Sequence, residues 1–464
     1  MGMMKKKAQP AYSRPGDAGI PQAFKNGNAV TKISFFVFGL GNLMNRQIVR
    51  GLIFLALEIG YFIYMISFGF GALGDFTTLG TTTQGEVFNE ALGIYEYSAG
   101  DDSMLCLLYG VITLVLTAAV VFIGCMSGKS AYCTQVRIEK GKTLPSFKDD
   151  LRSLKEENLH AFLLSFPIIG IICFTIVPLI FMILIAFTSY DHEHQPPGNL
   201  FTWVGLDNFK AMFSQGSKLA GTFWPVLSWT LIWAVFATVS CFLLGMLLAL
   251  LINRKGTKAK GFWRFMFVLS VAVPQFVTLL SMRTIFNANG PVNVILRQLG
   301  VIGMTESIPF FTNPLYAKIT IICINIWIGV PFTMLSTTGI LQNIPADLYE
   351  AARIDGASAP TIFRKITLPY MLFVMTPNLI TAFTGNINNF NVIFLLSGGG
   401  PDSMDYYYAG KTDLLVTWLY RLTITQKDYN LGAVIGILVF IILATLSLIT
   451  YRRTGAYKDE GAFQ

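Results

Sequence analysis

Leu227-Ser-Trp-Thr-Leu-Ile-Trp-Ala-Val-Phe-Ala-Thr-Val-Ser-Cys-Phe-Leu-Leu-Gly-Met-Leu-Leu-Ala-Leu-Leu-Ile252 is a run of 26 residues without a charge or a proline. As an α-helix it is about 39 Å long, more than the roughly 30 Å of bilayer hydrocarbon. It shows no polar face, so it reads as a membrane span and not as a core helix of a soluble domain. Arg254, Lys255, Lys258, Lys260 and Arg264 follow at once. Such a basic cluster marks the cytoplasmic end of a span.

The same pattern recurs outward in both directions. Eight spans are predicted, at 51–68, 104–127, 161–187, 227–252, 265–286, 317–341, 370–389 and 431–451. The seventh is interrupted by Pro377, Gly385 and four asparagines. Residues 33–42 are apolar but too short to cross, and are expected in the interface. The chain is 53% hydrophobic and 13% charged, about half the charge of a soluble domain. With residue 1 placed in the cytoplasm, 26 of the 34 Lys and Arg fall in cytoplasmic segments and 6 in outer loops. Missing one span would scramble that alternation, so the net charge of +8 reports topology and not nucleic-acid binding. The expected class is an all-α polytopic membrane protein with both termini cytoplasmic. Its expected divisions are an N-terminal segment 1–50, two additional spans in 51–160, a six-span core 161–455 and a tail 456–464. No cleavable leader is expected, because a polar basic stretch of about thirty residues precedes the first apolar segment. Residues 1–32 read as a disordered basic leader near anionic headgroups. The six cysteines have no metal-ligand spacing and read as reduced thiols.

The connection between the sixth and seventh spans, 344–369, is the most informative. It predicts two short helices. Pro345 suits a first helical position, Asp347 favours a helix start, and Gly356 can end the first helix in the left-handed conformation. Ser358 can cap the second, Phe363 and Ile366 share a face, and Pro369 is expected to stop it. Ala351 and Ala352 form a small smooth surface between Glu350 and Asp355. That surface fits a groove on a soluble partner; an ordinary solvated connector is the plainer reading.

Glu350-Ala351-Ala352-x-x-Asp355-Gly356-Ala357, followed by Phe363-x-x-Ile366-x-Leu368-Pro369, resembles the cytoplasmic loop of binding-protein-dependent ABC import permeases. The resemblance implies a type I importer core in which this loop seats in a cleft of a separate ATPase. Over 161–455 the chain is similar to the larger membrane subunit of the maltose/maltodextrin importers. The echoes include Val204-Gly205-Leu206-Asp207-Asn208-Phe209, Gly261-Phe262-Trp263-Arg264, Gly398-Gly399-Gly400-Pro401 and Ala409 to Val416. In that subfamily Asn-x-Trp-x-Gly of the sixth span lies at the sugar, which implies Asn325, Trp327 and Gly329 here. The asparagine-rich stretch of the seventh implies Asn386 and Asn389, and Gln275 stands where the family has a serine. Gly385 and Val271 replace aromatic residues, which leaves the size and identity of the sugar open.

The residues support a polar site independently. Tryptophan offers a flat apolar face to a sugar ring, and amides pair with hydroxyls. Asparagine in hydrocarbon needs a partner or water, so these residues imply either a polar cavity or interhelical hydrogen bonding.

The resemblance further implies partners: a second permease subunit, two ATPase subunits, an external sugar-binding protein, an oligosaccharide and membrane lipid. The chain itself is expected to hold no cofactor and to catalyse nothing, ATP and Mg being used by the ATPase. The outer loop 188–226 is too short for a domain, which suggests a Gram-positive source with a tethered binding lipoprotein. Maltodextrin is the first expectation for the substrate and galacto-oligosaccharides the alternative. A secondary transporter is a distant rival, because the spans hold almost no carboxylate besides Glu58. A membrane-embedded enzyme is more distant still, with all three histidines outside the spans. Glu58 is expected to pair with a neighbour. Gly124 to Ser130 imitates a phosphate-binding loop but has three residues between its glycines and follows no strand. Asp191-His192-Glu193-His194 lacks a third metal ligand and reads as solvated.

Overall fold

The computed structural model describes residues 19–89, 93–156, 158–254 and 256–452. The basic residues 1–18 and the expected tail 456–464 lie outside them. Among the described residues, seven helices are long and apolar enough to cross a membrane, and counting one bent pair as a single span gives eight. They are α1 Ile48–Thr78, α2 Ser103–Glu139, α3 Leu159–Ile185, α4 Lys218–Asn253, the pair α5 Lys260–Ala272 and α6 Gln275–Ile285, then α7 Pro314–Gln342. After the short α8 Ala346–Ile354 come α9 Ala359–Ile387 and α10 Tyr429–Arg452. Two compact units divide the chain, residues 1–203 and 204–464.

Capping chemistry starts several helices. Asp102 accepts from the amides of Met104 and Leu105 ahead of α2, and Asn313 from Leu315 and Tyr316 ahead of α7. The helices outrun the predicted spans: α2 has 37 residues, about 55 Å of helix.

Three expectations are corrected. The fifth span is not one helix, since α5 and α6 meet at 88°. Pro274 has no N–H to bond back into α5, and Val273 before it is extended (ψ 127°). Pro369 does not stop its helix. The turn Phe363–Thr367 is π-helical, with the Leu368 amide reaching back to the Phe363 carbonyl, so Pro369 falls in the first turn of the helix that resumes at Leu368. There its missing donor costs nothing. Residues 19–32 are not disordered. Ile20–Asn26 and Ala29–Ile33 are helical, Asn28 caps the second, and Ala23 packs with Tyr132 and Phe35.

In the first unit, residues 33–42 turn at a left-handed Gly39 and pack on α2. The Ser127 hydroxyl donates to the Ser34 carbonyl and accepts from the Gly39 amide, both at 2.8 Å. A Cβ at Gly124 or Gly128 would strike Phe38 or Phe35 at 2.7 and 2.3 Å. The glycines that imitate a phosphate loop are therefore seats for aromatic rings inside α2. Buried Glu58 has a partner, the Phe38 amide at 2.7 Å.

In the second unit α4 is the central wall. One face carries Trp229, Trp233, Ala237 and Cys241, all buried. Trp229, Trp233 and Ala237 pack with Leu279, Ile321, Ile324 and Val392. Further along, Phe242 and Met246 pack with Met371 and Met375 of α9.

Candidate functional site

Two sets of side chains were expected to carry function, one within the spans of the second unit and one on its cytoplasmic connection.

On α7, Asn325 and Gly329 are four apart and share a face, while Trp327, two from each, points about 160–200° away. The structure follows that geometry. Asn325 is buried, its Nδ2 3.8 Å from Cys241 Sγ on α4. Gly329 lets the same sulfur approach: a Cβ there would lie 2.6 Å from Cys241 Sγ. Trp327 is 54% exposed.

At the end of α9, Asn386 Nδ2 donates to Thr238 Oγ1 at 3.0 Å, and the Asn386 carbonyl accepts from Trp233 Nε1 at 3.0 Å. Asn389 Nδ2 donates to Asn386 Oδ1 at 3.3 Å, and Asn389 Oδ1 accepts from the Val392 amide, capping the helix Phe390–Leu396. Asn388 and Gln275 are exposed.

The expected polar cluster thus has two parts. Asn325, Gly329, Asn386 and Asn389 are braced on or beside α4, and Trp327, Gln275 and Asn388 face outward. The bracing residues Trp233, Thr238 and Cys241 escaped sequence reasoning. Their signal was the pattern Trp-x4-Thr-x2-Cys, three groups able to hydrogen-bond in an apolar helix.

A second buried constellation was also missed. Gly398-Gly399-Gly400 bends around Asp413, and a Cβ at Gly399 (φ +85°) would sit 2.0 Å from Asp413 Oδ1. Asp413 is 1% exposed and accepts from the Gly410 amide at 2.7 Å. Arg421 lies 3.4 Å from it and also bonds Asp402 and the Gly398 carbonyl, at 2.8 and 2.9 Å. Burial raises the Asp413 carboxyl above its usual range, with Arg421 opposing. These contacts fix the geometry of residues 397–421.

On the cytoplasmic connection, α8 ends as expected. Gly356 is left-handed (φ +73°), its amide bonds the Arg353 carbonyl, and the Ala357 amide bonds the Ala352 carbonyl. This double closure sets the angle of the following turn. Ser358 occupies the cap position but does not make the expected side-chain bond to the helix backbone; its hydroxyl pairs instead with Thr361 Oγ1 at 2.8 Å. The Tyr349 hydroxyl reaches Thr367 Oγ1 at 3.1 Å and ties α8 to the start of α9.

The expected coupling residues divide by direction. Phe363 and Leu368 pack inward against the Phe242, Met246, Met371 and Met375 cluster. Glu350, Ala351, Asp355, Gly356 and Pro369 are exposed, and Ala352 and Ala357 are half-buried. Leu348 (47% exposed) and Ile354 (86%) continue the outward apolar strip on either side of Ala351. An apolar strip rimmed by charge, anchored by a phenylalanine in the span core, can pass a push from outside into the helices.

Residues 241–454 match the family described as "Binding-protein-dependent transport system inner membrane component". The maltodextrin transport system permease protein MalC of Streptococcus pneumoniae is 35% identical over 429 residues, 91% of this chain and 95% of that protein. The chain belongs to the binding-protein-dependent import permeases. It is therefore a membrane-spanning transport component whose energy source is a separate ATPase. Coverage of 91% carries the likeness well into the first 160 residues, beyond the 161–455 expected from motifs. The galactooligosaccharides transport system permease protein GanP of Bacillus subtilis is 34% identical to the permease, over 91% of this chain and 96% of that one. Among solved structures, a chain of a bacterial ABC transporter for the acidic polysaccharide alginate superposes with a TM-score of 0.52. It covers 65% of the permease and 96% of that chain at 23% identity, which supports the fold alone.

Proposed function

We propose that the permease carries oligosaccharides into the cell, maltodextrins first, by rocking its spans between inward- and outward-facing states around Trp327 and the asparagines. The observation that carries this is a half-exposed tryptophan on the same span as Asn325, with its neighbouring amides held in place by α4. The ring stacks on a sugar face while Asn386, Asn389 and Gln275 supply donors and acceptors. The names of two relatives support the substrate class, maltodextrin for one and galactooligosaccharide for the other. The second name keeps galactooligosaccharides as the second reading.

The outward direction of Trp327 and Gln275 suits a sugar shared with a second permease subunit. Two ATPases using ATP and Mg would grip α8 and the following turn, 344–369. An external binding lipoprotein would deliver the sugar. Relatives from Streptococcus and Bacillus and the short segment 188–226 favour a Gram-positive cell membrane. Because this chain does no chemistry, ATP must stabilise one state over the other for net motion.

The test is uptake by the reconstituted complex, with its binding protein, of maltodextrins and galactooligosaccharides of graded length. A thermal-shift screen of the binding protein on the same panel accompanies it. Saturable import of one series, lost in Trp327→Ala with assembly intact, is expected. Normal import by that variant would remove the site from consideration.

A further inference from the structure

The connection between α1 and α2, residues 79–102, holds five Asp or Glu and no Lys or Arg, and lies outside the membrane by the charge count. It contains a hairpin, β1 Gly85–Asn89 antiparallel to β2 Ile94–Ser98. Glu86 stands opposite Tyr97 and Phe88 opposite Tyr95. Directly opposed residues share a face, and positions two apart along a strand share it too. One face therefore presents Glu86, Phe88, Tyr95 and Tyr97 together. Phe88, Tyr95 and Tyr97 are 50%, 68% and 69% exposed, and Phe88 and Tyr95 touch with centroids 5.1 Å apart.

The hairpin is held at its base. Asp101 Oδ2 accepts from the amides of Thr81 and Thr82 at 2.7 and 2.8 Å, and the Asp101 amide donates to the Thr82 carbonyl at 2.7 Å. Gly100 is left-handed (φ +69°), and a Cβ there would meet the Gln84 amide nitrogen at 2.5 Å. The rings are thus displayed from a fixed base.

Three occupants suit exposed rings, and the face discriminates among them. Aromatic residues in a membrane belt are commonly joined by Lys or Arg at the headgroups, whereas this connection has only acids. A protein partner needs roughly 500 Å² from each side, but five residues of two strands cover about 17 by 10 Å. An oligosaccharide matches both size and chemistry. Its ring faces stack on aromatic planes, its hydroxyls donate to a carboxylate, and Tyr95 and Tyr97 are offset by about 7 Å along the strand.

We propose that Glu86, Phe88, Tyr95 and Tyr97 form an external binding strip for oligosaccharides, separate from the Trp327 site. The substrate class rests on the import reading above. The experiment is tyrosine nitration footprinting of the full transporter complex in nanodiscs, without binding protein, using maltoheptaose and a galactooligosaccharide of similar length as probes. Concentration-dependent protection of Tyr95 and Tyr97 by one probe is expected. The apparent Kd should rise about threefold or more in Phe88→Ser and in Glu86→Ala. Trp327→Ala should leave the protection unchanged while abolishing transport. No protection by either probe, or an unchanged Kd in both hairpin variants, overturns the strip. Protection by the bilayer alone, relative to detergent, assigns the rings to lipid and overturns it. Protection only on adding the binding protein assigns them to a protein contact and overturns it. If protection by sugar persists while no oligosaccharide is imported, the strip stands and the import reading fails.

Discussion

Gly329 offers a clean separation of packing from sugar contact. In Gly329→Ala the new Cβ would lie 2.6 Å from Cys241 Sγ, at least 0.8 Å inside the 3.4 Å where ordinary contact begins. Either α4 and α7 part, or the sulfur rotates away from the Asn325 carbonyl and Nδ2, each 3.8 Å from it. Overpacking of this kind costs about 1–2 kcal/mol. For a chain of this length that is a fall in thermal midpoint of about 1–2 °C. The Cys241 Cβ would sit 3.5 Å from the added methyl, so Cys241→Ala leaves room for it. The double variant should therefore recover most of the loss, with a coupling of about 1 kcal/mol or more. The assay is thermal unfolding of purified wild type, the two single variants and the double variant, run beside uptake. An unaltered midpoint in Gly329→Ala, or the same loss with and without Cys241→Ala, would refute the close-approach argument. Recovery of the midpoint without recovery of transport would place Gly329 at the substrate as well.

Glu350→Lys reverses an exposed charge on α8, so assembly should persist while sugar-stimulated ATP hydrolysis falls at least tenfold; unchanged stimulation would argue against docking there. Thr238→Val removes the acceptor of Asn386 Nδ2 and should cost about 1–3 kcal/mol, read as a lower thermal midpoint. A midpoint equal to wild type would mean that Asn386 is satisfied by water. The amides of Thr81 and Thr82 hold the Asp101 carboxyl below its usual value near 3.8. Because the folded value is depressed, its contribution is complete above about pH 4 and is lost as pH falls through the folded value. Hydrogen exchange at Thr81 and Thr82 should quicken in Asp101→Asn at neutral pH, and in wild type only under strong acid. Equal protection in the variant would show that the clamp does not hold the hairpin base.

The spans were legible because lipid imposes a length and a charge asymmetry that few residues can mask. The loop 344–369 was legible because caps are local: Gly356 needed only its neighbours to be read. Pro369 was misread because the π turn just before it relieves it, and nothing in Phe363–Thr367 announces that turn. Residues 19–32 were misread for another reason. Their apolar positions are few, and their fold depends on Tyr132 of α2, more than a hundred residues away. The sugar-site residues could be named by motif, yet only the structure divides them, because Asn325 and Trp327 are two apart in sequence and on opposite sides of a helix. The bracing roles of Thr238 and Cys241 arise from tertiary contact alone.

The right angle at Pro274 has a cost that lipid cannot meet. Ending α5 and starting α6 within the same crossing leaves about four carbonyls at the end of α5, and the amides of Gln275 and Phe276, without partners in their own helices, the Val277 and Thr278 amides being taken by the Pro274 carbonyl. Hydrocarbon offers them nothing, so that stretch of backbone must border water or another protein surface. A lipid-coated position for Gln275 and its neighbours is thereby excluded, and either solvent or a facing protein surface has to reach the depth of the bend.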